Sequence, residues 1–446
     1  MLLISDVTAI TMDEGRRVIG EAAIAIDGER IVAVDKVAAL ATRYQAAEVI
    51  DGRGMVAIPG LIDTHAHADQ SILRGTTDDL HWIPFLRDWI DPYLRRRDPA
   101  DTVAAYRLSA LEMVRSGTTC FLSPNFDPND DLDTLSEALG EIGLRAVLGR
   151  WVEPEAPLAE AVDVVSRWDG ACGGRIRMWF GLMVPRQPGD GYFPEFYRAV
   201  ASHARDLGTG ITYHFCSEIE DAEYYEQTFG LRPAQWALDH GVLGPNVVLI
   251  NGCWMSRLEV ELLAGTGTSL AYSPSATMKM ATGITPMPEL LAVGVNVSLG
   301  TDGGANNNSH DMIREMKAAC LLQNVAQRQA GLLTAEDALE LATIGGARAL
   351  GMQDELGSIE AGKRADIVLV DLARPHTSPV TDPVSNLVYA AHGGDVDTVI
   401  IDGRVVMLGG TLSGIDEAAI LADAQLASER VRGRITPQRA PKWPRL

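Results

Sequence analysis

The chain has 446 residues, 46% of them hydrophobic and 22% charged, a globular composition at a length that suits one large barrel plus a small accessory domain. Its 60 acidic against 38 basic side chains leave a formal charge of −22, which excludes the basic face of a nucleic-acid binder. Cys120, Cys172, Cys216, Cys253 and Cys320 are odd in number and contain no Cys-x-x-Cys, so neither a disulfide framework nor a zinc finger is indicated.

Taken in chain order, residues 1–55 alternate apolar and polar positions, with Asp27-Gly28 and Asp51-Gly52 as tight-turn chemistry, and predict short antiparallel strands. The opening MLLISDVTAITMDEG lacks the positive start and long apolar stretch of a signal peptide. No apolar run approaches the roughly 20 residues that span a bilayer, so a soluble, cytoplasmic setting is expected. Residues 56–355 alternate apolar strands, such as RAVLGRWV, GITYHF and NVSLGTD, with amphipathic helices. That alternation predicts an α/β fold, a (β/α)8 TIM-like barrel. Arg95-Arg96-Arg97, set among acidic residues, reads as a solvated helix face. Residues 356–410 return to the texture of the first 55, so both chain ends are expected to build one small β-sandwich domain. From 411 to 446 the chain reads as a helix followed by a loose Pro- and Arg-containing end.

His65 and His67 directly follow the apolar run MVAIPGLID. Residues two apart on a strand share a face, so both imidazoles can enter the barrel together. His214 ends the strand GITYHF, and Asp302 ends NVSLGTD just before two glycines. Each falls at the C-terminal end of a predicted barrel strand, the face where such barrels carry their active sites. Three histidines and a carboxylate suit one divalent metal ion, with zinc favoured and iron, manganese or cobalt as alternatives.

PGLIDTHAHADQSILRG, MVRSGTTCF, SPSATMKMATGI, LGTDGGANNNSHDM and EAGKRADIVLVD together resemble the amidohydrolase superfamily, in the branch that holds cytosine deaminase, adenosylhomocysteine deaminase and the triazine hydrolases. The resemblance runs from about residue 50 to 410 and implies that His65, His67 and His214 are metal ligands. It implies that Asp302 is both a ligand and the base that takes a proton from the attacking water. It also implies a homo-oligomer acting on a small molecule. Two-metal members carry a carbamylated lysine on the fourth strand; RMWFGLMV has no lysine, so one metal is expected.

Three departures bear on the reaction. Where deaminases of this branch have His-x-x-Glu, this chain has Ser217, with Glu218 one residue late and on the other face of a regular strand unless the loop turns there. Asn251 stands where a sixth-strand histidine is usual, and Arg186 follows Pro185 where relatives read Pro-His. Releasing ammonia from an aminated heterocycle requires protonating a ring nitrogen and the leaving amine. Arg186 and Asn251 instead suit an oxyanion developing on a carbonyl-type oxygen. The expected reaction is therefore hydrolysis of a C–N bond in a small urea, carbamate, thiocarbamate or amide, a pattern that resembles molinate hydrolase and the phenylurea hydrolases. The alternatives are a deaminase in which Glu218 reaches the site, and a catalytically silent binding protein. His81, Trp82, Trp254, Tyr272 and His310 are candidate substrate contacts, whereas His203, His240, His376 and His392 read as surface or capping residues.

Overall fold

A computed structural model describes residues 1–446 except 41, 42, 45, 128, 129, 155, 187–192 and 436–446. The loose end expected of the tail lies outside the described residues, and the helix before it spans Glu417–Arg434.

Eight strands form a parallel sheet in chain order: Leu61–Asp63, Thr118–Phe126, Arg145–Val152, Ile176–Leu182, Ile211–Phe215, Val247–Asn251, Ser269–Tyr272 and Val297–Leu299. They are referred to below as barrel strands 1 to 8. Strand 6, Val247–Asn251, is buried along its whole length, as expected of a strand with helices outside and side chains packed within. Thr64 N–H donates to the Leu299 carbonyl at 3.0 Å and joins the ends of the row into a barrel. Just beyond that closure Asp302 and Gly303 pair in parallel with Ala66 and His67. The histidine pair and the carboxylate are thus brought together by main-chain register before any side chain is considered. Gly300 permits the approach, since a Cβ there would meet the His65 backbone nitrogen at 2.9 Å.

The helices between the strands follow the apolar periodicity of the sequence. Pro194–Leu207 buries Tyr197, Val200, Ala201 and Ala204, one face at three- and four-residue spacing. Arg257–Thr266 starts on a capping box of Ser256 and Glu259.

Both chain ends share one nine-stranded sheet. Leu2–Ile10 pairs antiparallel with Val18–Asp27, and Met55–Pro59 pairs antiparallel with Ile367–Asp371. Leu2–Ile10 also runs parallel to Glu48–Asp51 and to Met55–Pro59, a departure from the all-antiparallel expectation. Met55–Pro59 leads through Gly60 straight into the first barrel strand, so its direction is set by the barrel and not by a hairpin. Arg145, 2% exposed on barrel strand 3, hydrogen-bonds Asp366 beside the C-terminal strands at 2.9 Å and ties the sheet to the barrel.

One expectation is corrected. Arg95 is exposed, but the Arg97 side chain is only 4% exposed and bridges Asp69 at 2.6 Å and Asp130 at 2.9 Å. A buried guanidinium needs paired carboxylates, and these two arrive from the loops after strands 1 and 2. All five cysteines are free. Among the described residues no helix is long and apolar enough to cross a membrane.

Candidate active site

His65 and His67 leave barrel strand 1, His214 lies on strand 5, and Asp302 follows strand 8. Their donor atoms converge. His67 Nε2 is 3.4 Å from His214 Nε2, and Asp302 Oδ1 is 3.3 Å from His65 Nε2 and 3.5 Å from His67 Nε2. Bonds of about 2.0–2.2 Å to a tetrahedral zinc would place neighbouring ligand atoms about 3.4 Å apart. His65 Nε2 and Asp302 Oδ1, which face each other in the cluster, are buried without hydrogen-bond partners, which fits a cation as their common partner. The Asn125 side-chain amide oxygen accepts from His67 Nδ1 at 2.8 Å and so leaves the Nε2 lone pair facing the cluster.

Electrostatics agree with the geometry. Burial, with the neighbouring rings, lowers the pKa of His67 and His214, so both are neutral and able to ligate. Burial opposes ionisation of Asp302, but His65, His67 and His214 outweigh it and hold its carboxyl well below the usual range.

A cavity of about 760 Å³ opens onto this cluster, lined at its base by His67 and His214. Trp82, Phe85, Leu182 and Val184 supply its apolar wall. The Trp82 ring lies 5.9 Å from that of His214, with the Arg186 guanidinium 4.9 Å from the indole centroid.

Glu218 lines the cavity despite its place one residue beyond the expected glutamate position. The reason is local. Cys216 adopts φ 44°, a left-handed conformation that breaks the strand alternation and turns the following residues. Glu218 Oε1 is buried without a partner, and Oε2 lies 3.6 Å from His81 Nε2 at the cavity mouth. Burial, reinforced by the charges of Asp221 and Glu220, pushes the Glu218 carboxyl up to about 8, so it is protonated at neutral pH.

The other candidates are placed as follows. His81, Trp82 and Arg186 line the cavity. The Nε/Nη2 edge of Arg186 engages Asp221, at 2.9 and 2.7 Å. Asn251 does not line it; its φ is 73° and its amide donates to Ser217 Oγ at 3.3 Å. Tyr272 is fully buried, its hydroxyl accepting from Gln323, and Trp254 donates to the Thr282 carbonyl. His310 is buried between the Thr301 and Ser71 hydroxyls at 2.8 and 3.1 Å. None of these last three reaches the cavity wall.

Sequence reasoning did not single out Asn125, Asp221 or Asp63. Asp63 accepts from the N–H groups of His65 and Thr301, tying together the two segments that carry ligands. Its place inside PGLIDTHAH was the available signal.

A parallel eight-stranded barrel with three imidazoles and one carboxylate at the C-terminal ends of its strands is the arrangement of a metal-dependent hydrolase. The chain belongs to the amidohydrolase family, which it matches over residues 56–406. It is 37% identical over 413 residues to a 5-methylthioadenosine/S-adenosylhomocysteine deaminase of Desulforudis audaxviator, covering 92% of this chain and 94% of the relative. It is 34% identical to a 5'-deoxyadenosine deaminase of Methanosarcina mazei, covering 97% and 99%. Among solved structures, a zinc-bound adenosine deaminase from Xanthomonas campestris superimposes with a TM-score of 0.91 at 29% identity, covering 97% of this chain and 98% of that one. The zinc complex of atrazine chlorohydrolase from Arthrobacter aurescens gives 0.87 at 26%, covering 96% and 100%.

Proposed function

We propose that the protein is a mononuclear metal-dependent deaminase of an aminated heterocycle, with an adenosine derivative as the favoured substrate. The observation that carries this reading is Glu218, a neutral carboxyl turned into the cavity that holds the metal-ligand cluster. His65, His67, His214 and Asp302 would hold the ion, most simply zinc, as in the adenosine deaminase and atrazine chlorohydrolase neighbours. When bound, a divalent ion supplies acidification of the attacking water.

The chain's own groups divide the proton work. Asp302 accepts one proton of the attacking water while Glu218 donates its proton to the ring nitrogen beside the amino-bearing carbon. As the C–N bond breaks, the proton on Asp302 passes to the departing amine, which leaves as ammonia. Glu218 recovers a proton from the newly added hydroxyl as the carbonyl forms. Two carboxyl groups with opposite pKa shifts are what such a sequence requires. The cavity of about 760 Å³ has room for more than a bare ring, which supports a heterocycle with an appended group.

Hydrolysis of a urea or thiocarbamate, the reaction first expected, would use Arg186 and Asn251 as oxyanion donors. Arg186 commits its Nε/Nη2 edge to Asp221 and Asn251 does not line the cavity, so the geometry and the relatives favour deamination. The test incubates metal-loaded protein with adenosine derivatives, aminotriazines, N-substituted ureas and thiocarbamates and identifies the amine released. Ammonia from the heterocycles is expected. A substituted amine from the ureas, without ammonia, would overturn the proposal, and no product from any of them would return attention to a binding role.

A further inference from the structure

Away from the catalytic cavity, His376, His392 and Asp395 form a second cluster in which one ligand atom from each lies within 4.8 Å of the others. His376 lies in the loop after the strand Ile367–Asp371, and His392 and Asp395 bracket the short 3-10 turn Gly393–Asp395. Asp395 is 5% exposed, and its Oδ2 faces both rings: His376 Nε2 at 2.9 Å and His392 Nδ1 at 3.6 Å. The rings are parallel within 4°, with centroids 5.1 Å apart, so neither blocks the other's approach to the shared oxygen.

We propose that His376, His392 and Asp395 form a second divalent-metal site, structural in role and selective for zinc-like ions. Two imidazoles and one carboxylate favour late first-row cations over magnesium or calcium. The 2.9 and 3.6 Å separations straddle the spacing of about 3.4 Å set by zinc bond lengths, and the two rings' ligand atoms lie within 4.8 Å of each other. His392 Nδ1 accepts the Gly394 N–H at 3.0 Å, which makes it the unprotonated nitrogen of its ring, and ligation requires this single lone pair to leave that N–H for the cation. On binding, the cation takes the place of the proton that His376 Nε2 donates to Asp395, and that proton moves through solvent to Nδ1 of the same ring, which ligates as a neutral imidazole. The Gly394 N–H is exposed and turns to water. Both histidine side chains are over 40% exposed, so solvent can complete the coordination.

The site has a structural consequence. Gly393 N–H, within the same turn, donates to Asp311 Oδ2 at 2.8 Å, and Asp311 caps the helix Met312–Gln327 immediately after His310. A cation here fixes the turn that holds this cap, at the base of the loop that carries Asp302.

The experiment counts zinc per chain by elemental analysis on untagged protein that has been stripped with chelator and then dialysed against zinc. His376→Ala/His392→Ala is expected to retain one equivalent fewer than the wild type while keeping its turnover. His392→Gln leaves the His376–Asp395 hydrogen bond in place and is expected to lose the same equivalent, so the loss cannot be ascribed to unfolding. Equal zinc content in the wild type and both variants would overturn the proposal.

Discussion

Arg186 presents one edge of its guanidinium to Asp221, with Nε 2.9 Å from Oδ1 and Nη2 2.7 Å from Oδ2. The same carboxylate accepts the backbone N–H groups of Ser217 at 2.9 Å and Glu218 at 3.2 Å. Asp221 therefore joins the segment after barrel strand 4 to the turn after strand 5, and holds the main chain from which Glu218 projects. Asp221→Ala strips a largely buried cation of this counter-charge. Such a loss costs about 3–5 kcal/mol, and the lower end applies because Arg186 keeps some exposure. Urea denaturation should show that loss, together with a fall in kcat as Glu218 loses its anchor. An unchanged kcat would mean that the pair has no part in placing Glu218.

Glu218→Gln keeps the shape of the side chain and removes its proton. Kcat/KM is expected to fall by about 10²–10⁴, with metal content and melting temperature unchanged. The pH profile carries the sign. The carboxyl is pushed up to about 8, so wild-type activity holds through neutrality and is lost as pH rises past that value. The raised pKa means that the folded state binds this proton more tightly than the unfolded chain, so this group's contribution to stability declines from about pH 4.5 to about 8. An alkaline limb that persists in Glu218→Gln would assign the titration to another group.

Glu218 also marks how far the sequence can be read. The barrel strands were legible as apolar runs between amphipathic stretches, and the ligands were legible because His65 and His67 share one strand face. Glu218 was legible only as a candidate, because regular strand alternation puts it on the wrong face and the left-handed turn at Cys216 is what brings it into the cavity. Asn251 and Asp302 also have positive φ, at 73° and 61°, so three of the strand ends around the site depart from regular geometry. Contacts between residues distant in sequence were equally hidden. The His67–Asn125 bond and the Arg186–Asp221 pair depend on which loops the barrel brings together.

Arg97 is the clearest such case in the framework. Its side chain, 4% exposed, lies between Asp69 and Asp130, with its guanidinium 5.4 Å from the Tyr93 ring centroid. Tyr93 and Asp69 are themselves joined through the tyrosine hydroxyl and the Asp69 carbonyl. Arg97→Ala leaves two buried carboxylates facing each other and should cost about 3–5 kcal/mol in chemical denaturation. Arg97→Lys should recover only part of that, since an ammonium cannot span both carboxylates with a planar fork. A surface-like change below about 1 kcal/mol would contradict the buried placement.

Asp63 bears on metal retention without being one of the proposed ligands. Its Oδ1 accepts from the N–H groups of His65 at 3.2 Å and Thr301 at 3.0 Å, and its Oδ2 from the Thr301 hydroxyl at 2.5 Å. All three donors belong to the segments that carry His65 and Asp302. Asp63→Asn preserves volume and keeps Oδ1 for the two N–H groups, but it puts an NH2 against the Thr301 hydroxyl, which can then no longer donate there and must turn to accept. The two segments should then part slightly and loosen the ligand cluster. Supporting groups of this kind change metal affinity by about 10–100-fold. Titration with a competing chelator should show zinc lost from Asp63→Asn at correspondingly lower chelator concentrations. Excess zinc should restore much of the turnover, because His65, His67, His214, Asp302 and Glu218 are all intact. If affinity is unchanged but turnover is lost, Asp63 acts on the reaction itself and not on the assembly of the site.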